Sequence, residues 1–210
     1  LLRVHELIIG TIQGEGSNSG LAVDFVRLHG CNVGCWFCDT GYSESMQYGT
    51  NIPFQELSFE EIFGQLKSGN IVISGGEPML CKELPQFCEY LIKRNKKIFV
   101  ETSGTAWRDL PPEVWITLSP KDYVSKLKTK EEAWDKADEI KFVVSCEDPE
   151  NDITEYYRDR IKNNPNSLIY IQPEASEFCK GNNIKNILKL LQTIPGSKLS
   201  LQTHKFLNIQ

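Results

Sequence analysis

The pattern that most constrains the fold of this chain is a regular alternation of short apolar segments with helical segments. Runs of apolar and β-branched residues predict strands over residues 22–28, 70–74, 97–100, 114–118, 140–144, 168–171 and 198–202. Apolar residues at helical spacing predict helices over residues 58–67, 82–95, 131–137, 153–162 and 184–194. This alternation is typical of a buried parallel sheet built from right-handed βα units.

The number of strands decides between a closed and an open sheet. Six or seven strands in 210 residues fall short of an eight-fold barrel, which takes about 250 residues. The sequence therefore predicts an α/β fold with an open, partial βα barrel of about six parallel strands. Since no repeat, low-complexity tract or linker interrupts the chain, we expect a single domain over residues 1–210.

Polar and glycine-rich residues follow the predicted strands at their carboxyl ends. They occupy positions 29–31, 74–77, 101–104, 119–121, 145 and 172–174. In parallel α/β folds these strand ends meet at one edge of the sheet, and the ligand site lies there. The pattern predicts one extended site, although polar strand ends that simply meet water are common.

Charge and cysteine content narrow the class of protein. The chain has 23 Lys and Arg against 28 Asp and Glu, a net charge of −5, which argues against a nucleic-acid partner held by a positive surface. Seven cysteines are an odd number in a chain too long to need a disulfide framework, so reduced thiols and a cytoplasmic location are expected. No apolar run approaches a membrane span, and residues 1–10 lack the apolar core of a signal peptide. No membrane partner is expected.

Three of the cysteines are clustered in the pattern C-x3-C-x2-C, at Cys31, Cys35 and Cys38. Three thiolates within eight residues can bind one metal centre from a single loop. On a four-iron cube, three protein ligands leave one iron open to bind a small molecule. Zinc is the alternative, but it usually needs a fourth ligand, for which His29 is the nearby candidate. The other cysteines form no second set, and core packing is expected for Cys81 and Cys88.

Two motifs together resemble the radical S-adenosylmethionine (SAM) superfamily. The cysteine motif follows a predicted strand and has Phe37 just before its third cysteine, and Gly-Gly-Glu-Pro at residues 75–78 follows the next strand. The resemblance implies a [4Fe-4S] cluster on the three cysteines that binds SAM and cleaves it to a 5′-deoxyadenosyl radical. It also implies a reductant such as flavodoxin or ferredoxin.

Further segments resemble one family within that superfamily, the 7-carboxy-7-deazaguanine synthases. They are Thr-Ile-Gln-Gly-Glu-Gly at 11–16, Cys-Asp-Thr at 38–40 and Ser-Leu-Gln-Thr-His-Lys at 200–205, with similar residues at 119–121 and 172–173. The resemblance implies a lyase that converts 6-carboxy-5,6,7,8-tetrahydropterin to 7-carboxy-7-deazaguanine with loss of ammonia, in queuosine and 7-deazapurine biosynthesis. Mg2+ dependence and a homodimer are implied as well.

The resemblance, together with the chemistry of the side chains, assigns candidate site residues. The substrate-binding set, which includes part of an N-terminal segment at 10–16, is Ile12, Gln13, Gly14, Glu15, Arg27, Ser74, His204 and Gln210. The SAM-binding set is Phe37, Cys38, Asp39, Gly76, Glu77, Ser103, Ser119, Pro120, Lys121, Gln172, Pro173, Glu174 and Ala175. Cys31, Cys35 and Cys38 in the loop 31–38 are assigned to the cluster and Thr40 to Mg2+. No side chain is assigned a catalytic role beyond the cluster-bound cofactor.

Several assignments have a structural alternative. Arg27 either binds a substrate carboxylate bidentately or forms a salt bridge with a core acid, and its position favours neither. The segment 39–41 is also a good turn or helix cap, and the Gln-Gly-Glu-Gly segment is also a good turn. A lone histidine such as His204 is usually a surface or core residue.

Two other functions remain open from the sequence alone. A glycyl-radical-enzyme activating enzyme has the same cysteine loop and small size, but it needs a surface that docks a protein. A non-catalytic zinc-binding module needs only the thiols. The segments around Gln13 and His204 favour a small-molecule pocket over both.

Overall fold

A mainly parallel β-sheet forms the centre of the protein. The structure, a computed structural model, describes residues 1–42, 52–145, 153, 155–174 and 183–209. Within these ranges the strands are β1 (Leu2–Ile12), β2 (Ala22–Leu28), β3 (Gln55–Leu57), β4 (Asn70–Gly75), β5 (Lys97–Thr102), β6 (Trp115–Leu118), β7 (Glu139–Val144), β8 (Leu168–Pro173) and β9 (Lys198–Leu199). The helices are α1 (Phe59–Phe63), α2 (Leu84–Ile92), α3 (Glu131–Lys136), α4 (Glu155–Asn163), α5 (Asn183–Thr193) and α6 (Thr203–Phe206). No helix in these ranges is long and apolar enough to cross a membrane.

The strand order confirms the predicted open parallel sheet. The strands lie in the order β3-β1-β2-β4-β5-β6-β7-β8-β9. Every neighbouring pair from β2 to β9 is parallel, whereas β1 is antiparallel to both β2 and β3. Because β3 and β9 lie at opposite edges, the sheet does not close into a barrel.

The strand β1 is not predicted by the sequence pattern. Its pairing with β2 shifts register twice, between Val4 and Glu6 and between Ile8 and Thr11, so its buried positions do not alternate regularly. The second irregularity is fixed by the buried carboxylate of Asp24, which accepts from the Gly10 N–H at 2.7 Å. The same carboxylate accepts two further backbone N–H groups, at residues 67 and 68, after α1.

The end of the predicted last strand is corrected by the structure. Residues 198–202 are predicted as strand, but pairing with β8 stops at Leu199. The chain then turns into α6, where the Thr203 N–H donates to the Gly14 carbonyl at 2.9 Å. This contact, distant in sequence, replaces the ladder bonds that a longer strand would need.

Apolar residues on one face of the sheet pack against the helices. One core cluster joins β2, β4 and β5 to α2 through residues such as Ile73, Phe87 and Leu91. A second joins β7 and β8 to α3 and α4 through residues such as Trp134 and Phe142. Cys88 lies in the first cluster and Cys81 packs against it, as predicted for structural thiols. Cys146 and Cys179 lie outside the described residues.

Polar side chains from alternate strand positions face the other side of the sheet. Since successive strand residues point to opposite faces, the residues next to core positions line a common cavity. These are Phe25 and Arg27 on β2, Ser74 on β4, Glu101 on β5, Thr117 on β6, Lys141 on β7 and Gln172 on β8. Charged groups from strands distant in sequence thereby meet in one place.

Candidate active site

The cysteine loop follows β2 and lies at the edge of the cavity. Cys31, Cys35 and Cys38 all line the cavity. The loop is turned by a bond from the Cys38 N–H to the Cys35 carbonyl at 3.1 Å, and the Val33 N–H donates to Cys31 Sγ at 3.4 Å. Burial raises the pKa of Cys31, and it raises that of Cys35 to about 11. Because iron binds thiolates, binding displaces a proton from each buried thiol.

His29, the nearby candidate for a fourth metal ligand, is engaged by two aromatic neighbours. It contacts the Tyr42 hydroxyl at 3.3 Å and packs against Phe54, with the ring centroids 4.5 Å apart.

The Gly-Gly-Glu-Pro motif packs directly against the cysteine loop. The Gly76 N–H donates to the Leu28 carbonyl at 3.1 Å, and the Glu77 N–H donates to the Gly30 carbonyl at 2.8 Å. A Cβ atom on Gly75, whose φ is +135°, would lie 2.1 Å from the Leu28 carbonyl oxygen, and one on Gly76 would lie 2.0 Å from that of Gly30. Both glycines are therefore required for the two segments to meet.

Glu77 lies behind this motif and outside the cavity lining. Its carboxylate accepts from the Thr102 hydroxyl at 2.6 Å, the Met79 N–H at 3.0 Å, and both the N–H (2.8 Å) and the hydroxyl of Ser103. Burial raises the pKa of Glu77, and these bonds oppose the rise. From Ser103 the chain of bonds continues through Thr105 to Asn32 in the cysteine loop. Through these bonds Glu77 helps to fix the position of the cysteine loop.

Most of the predicted SAM-binding residues that follow β6 or lie at the end of β8 also line the cavity. Ser119, Lys121, Gln172 and Pro173 line it, whereas Pro120 and Glu174 do not. The Lys121 ammonium donates to the Ser119 carbonyl at 2.8 Å, and burial lowers the pKa of Lys121 to about 8. Ala175 lies outside the described residues.

An acidic cluster forms the inner end of the cavity. The Glu15 carboxylate accepts from the Lys141 ammonium on one oxygen and from Gln202 Nε2 at 2.6 Å on the other. Gln13 Nε2 donates to Glu101 Oε1 at 2.8 Å, and Lys141 lies 3.9 Å from the same oxygen. Burial alone would raise the pKa of Glu15, but Lys141 and the bonds to the glutamines lower it to about 2.

His204 reaches this cluster by packing on Gly14. A Cβ atom on Gly14 would lie 1.9 Å from His204 Nδ1, so the imidazole occupies the space of the missing side chain. Burial lowers the pKa of His204, which favours the neutral ring. Gly14 itself does not line the cavity although His204 does. Gln210 lies outside the described residues.

The opposite end of the cavity contains polar groups whose bonding is incomplete. Arg27 Nη1 donates to the Thr40 hydroxyl at 2.9 Å, and Arg27 Nε lies 3.3 Å from the Glu6 carboxylate. Glu6 is half-exposed and on the neighbouring strand, so it is not the core acid of the structural alternative. Within the described part of the chain, buried Arg27 Nε and Ser74 Oγ have no hydrogen-bond partner.

The cavity brings most of the predicted residues together in a volume of about 240 Å³. Ile12, Gly76 and Ser103 line it, as do Phe37, Asp39 and Thr40 in and after the cysteine loop. Among the polar residues that also line it, Lys141 lies outside every site segment that the sequence singled out, whereas Glu101 and Gln202 lie in the predicted strand end 101–104 and the motif 200–205 without an assigned role. A glutamate and a lysine on otherwise apolar strands were the available signal, because charge on a buried strand needs a partner.

Comparisons with known proteins agree with this geometry. The family model described as the radical SAM superfamily matches residues 25–193. The chain is 33% identical to the 7-carboxy-7-deazaguanine synthase of Rickettsia prowazekii, over 97% of this chain and 87% of that protein. It is 30% identical to that of Bacteroides thetaiotaomicron over the full length of both. The crystal structure of QueE from Escherichia coli superposes with a TM-score of 0.78 at 26% identity, covering 95% of this chain and 93% of that one.

The extent of these matches decides the family. The superfamily model covers more than half of the chain, and the relatives align over nearly its whole length at 30% identity or more. The three cysteines and the glycine motif lie within the matched range. The chain therefore belongs to the radical SAM superfamily and, within it, to the 7-carboxy-7-deazaguanine synthases.

Proposed function

We propose that this protein is a lyase that converts 6-carboxy-5,6,7,8-tetrahydropterin to 7-carboxy-7-deazaguanine with loss of ammonia, in queuosine and 7-deazapurine biosynthesis. One observation carries the proposal: a single cavity is lined both by the three clustered cysteines and by the polar residues suited to a pterin. A protein-activating enzyme would need its reacting centre at a docking surface, whereas these groups converge in one pocket of about 240 Å³.

The cysteine loop and the glycine motif hold the cofactors in this proposal. Cys31, Cys35 and Cys38 bind a [4Fe-4S] cluster. SAM is held by residues that line the same cavity, namely Gly76, Ser103, Ser119, Lys121 and Gln172. The cluster and SAM supply the 5′-deoxyadenosyl radical that starts the rearrangement. Phe37, stacked on Tyr123 with parallel rings 6.4 Å apart, offers a flat apolar surface for the cofactor base.

The two ends of the cavity match the two ends of the substrate. The pterin edge carries an amine and an N–H, which donate hydrogen bonds, and ionised Glu15 can accept them. The pterin carboxylate needs donors. Arg27 Nε and Ser74 Oγ are buried donors without a hydrogen-bond partner among the described residues, although Arg27 Nε faces the Glu6 carboxylate at 3.3 Å. Neutral His204 lies beside Glu15 on the same wall and can bond the ring.

Thr40 and Asp39 fit a Mg2+ ion that is completed by other oxygens. The Thr40 hydroxyl contacts Asp39 Oδ1 at 3.5 Å and accepts from Arg27 at 2.9 Å. Mg2+ prefers oxygen ligands and keeps several waters, so one hydroxyl from the protein is sufficient. Beside Arg27, the ion would draw the substrate carboxylate to the same place.

A reductant and a second subunit complete the proposal. The cysteine loop exposes Trp36, which is 62% exposed, and a flavodoxin or ferredoxin would approach the cluster from this side. Two further apolar side chains are exposed, Phe206 on α6 and Leu207 just after it. A homodimer interface would remove this apolar surface from water.

Anaerobic turnover tests this function. The protein is loaded with iron and sulfide, reduced, and incubated with SAM, Mg2+ and 6-carboxytetrahydropterin, and mass spectrometry follows the products. We expect 7-carboxy-7-deazaguanine from the wild type and none from Cys35→Ala, which cannot hold the cluster. An intact cluster that gives no deazaguanine would reject the proposal, and bound zinc without sulfide would restore the zinc-module alternative.

A further inference from the structure

Lys141 is a buried charge that the reaction as proposed does not use. It lies on β7, is 4% exposed, and its ammonium contacts Glu15 and lies 3.9 Å from Glu101. Removing an ammonium from water costs several kcal/mol, which only well-placed partners offset. Two carboxylates from distant parts of the chain face this one ammonium, and all three residues line the cavity.

The bonds around Glu15 orient its carboxylate. One oxygen accepts from Lys141 and the other from Gln202 at 2.6 Å. A carboxylate offers about four lone-pair positions, so acceptor positions remain for the donors of a ligand. Glu15 therefore presents its remaining acceptor positions in fixed directions.

A purely structural carboxylate in this chain is arranged differently. Asp24 is also fully buried, but its partners are the backbone N–H groups at residues 10, 67 and 68. It lies outside the cavity of the cysteine loop. Backbone donors suffice to bury an acid, so folding alone does not require a lysine at position 141.

On the basis of the proposed function, we propose that Lys141 is a positioning residue that holds Glu15 as an oriented anion. Through Glu15 it makes the pocket select ligands whose inner edge donates hydrogen bonds over ligands that lack those donors. The amine and N–H of a pterin form such an edge. A protonated Glu15 would present a donor of its own and lose this selectivity.

The charges around the pair determine the effect of removing Lys141. Two acids face the pair of Glu15 and Lys141, namely Glu101 on β5 and Glu139 on β7. The other titratable groups around it are Lys121 and His204. Without Lys141, burial and the neighbouring acids both favour protonated Glu15. The pKa of Glu15 would then rise from about 2 toward the range in which binding is measured.

Calorimetry on the cluster-loaded, oxidised protein with SAM tests this without turnover. The probes are 7-carboxy-7-deazaguanine, which keeps the amine and N–H edge, and its analogue without the 2-amino group. We expect the wild type to prefer the amino compound by about 100-fold, because a buried acceptor left without a donor is costly. Lys141→Met should reduce this preference to less than about tenfold.

The pH dependence separates positioning from a structural role. In the wild type the preference should stay constant from pH 8 to pH 5, because Glu15 remains ionised. In Lys141→Met it should fall with pH, and in Lys141→Met/Glu15→Gln it should be small and constant. Titration of His204 affects both probes and cancels in their ratio. Lys141→Arg, which keeps the charge, should restore part of the preference.

The possible failures are distinguishable. A wild type that makes no deazaguanine rejects the proposed function, whatever Lys141 does. If the wild type makes deazaguanine, and Lys141→Met has the same ligand preference and the same pH profile as the wild type, the inference about Lys141 is overturned. If Lys141→Met does not fold, as shown by lost SAM binding, the preference of the wild type for the amino compound is the deciding measurement. A wild-type preference that falls between pH 8 and pH 5 contradicts the inference that Lys141 holds Glu15 as an anion.

Discussion

The two ends of the cavity differ in how completely their polar groups are bonded. At the inner end, Glu15 is bonded to Lys141 and Gln202, and Glu101 is bonded to Gln13. At the outer end, Arg27 Nε and Ser74 Oγ are buried without a hydrogen-bond partner among the described residues. Both ends are lined by strands of the same sheet.

This difference indicates two ways of preparing a binding site. The inner end is organised by the protein itself, so its geometry should exist before any ligand arrives and its loss should cost stability. The outer end contains donors that the fold does not satisfy, and buried polar groups without partners are costly. Its groups should contribute to binding more than to stability.

The largest expected effect is on stability at the inner end. Glu15→Gln leaves the buried Lys141 ammonium without its closest carboxylate, with Glu101 at 3.9 Å and Glu139 also facing it. Breaking one side of a buried pair should lower the free energy of unfolding by about 3 kcal/mol, measured by urea unfolding at pH 7. Glu15→Gln/Lys141→Met, which removes both charges, should recover most of the loss. A loss below about 1 kcal/mol would contradict the pairing.

Acid should remove this stabilisation. The pKa of Glu15 is lowered from 4.5 to about 2 in the folded protein, so its contribution is complete above pH 4.5 and is lost as pH falls toward 2. The stability difference between the wild type and Glu15→Gln should therefore shrink across that window. A difference that stays constant would mean that Glu15 is not the group held ionised.

An intermediate effect is expected where His204 packs on Gly14. In Gly14→Ala the new methyl group would lie 1.9 Å from His204 Nδ1, so the imidazole must move. We expect about a tenfold loss of affinity for the deazaguanine product, which corresponds to about 1.4 kcal/mol, with unchanged SAM binding. Gly69→Ala is the matched control, because nothing lies within 4 Å of its added methyl group.

The smallest effect on stability is expected at the outer end. Ser74→Ala removes a hydroxyl without a described partner, so the free energy of unfolding should change by less than about 0.5 kcal/mol. Affinity for the carboxylated ligand should nevertheless fall about tenfold. Ser167→Ala should behave in the opposite way, since Ser167 donates to the Ala137 carbonyl at 2.7 Å. If Ser74→Ala and Ser167→Ala change stability and affinity in the same way, the proposed difference between the two ends of the cavity is wrong.

The sequence predicted the sheet because the parallel strands are apolar and contiguous. For β2 and for β4 to β8 the strand cores agree with the pattern, and most of the polar strand ends contribute residues to the cavity. The short strand β3 was not predicted. The strand β1 was missed because its two register shifts break the alternation on which the prediction depends. The helix α6 was missed because the Thr203 contact to Gly14 depends on residues far apart in the chain.

The sequence predicted the site residues that belong to short motifs. It did not predict those whose partners are distant in the sequence. The cysteines, Gly76, Glu15 and His204 belong to short segments with a recognisable pattern. Lys141 belongs to no such segment, and Glu101 belongs only to a polar strand end. Their contact emerges only when β5 and β7 are placed on either side of β6. A single charged residue on a strand shows that a partner exists without showing which one.

The contact between Gly14 and α6 also has a consequence for the order in which the protein matures. Residues 28–121 include the cysteine loop, the glycine motif and the Ser119–Lys121 segment, and they leave the ribosome well before residues 202–204. The bonds between the cysteine loop and the glycine motif can therefore form in a nascent chain before the contact between Gly14 and α6 can exist.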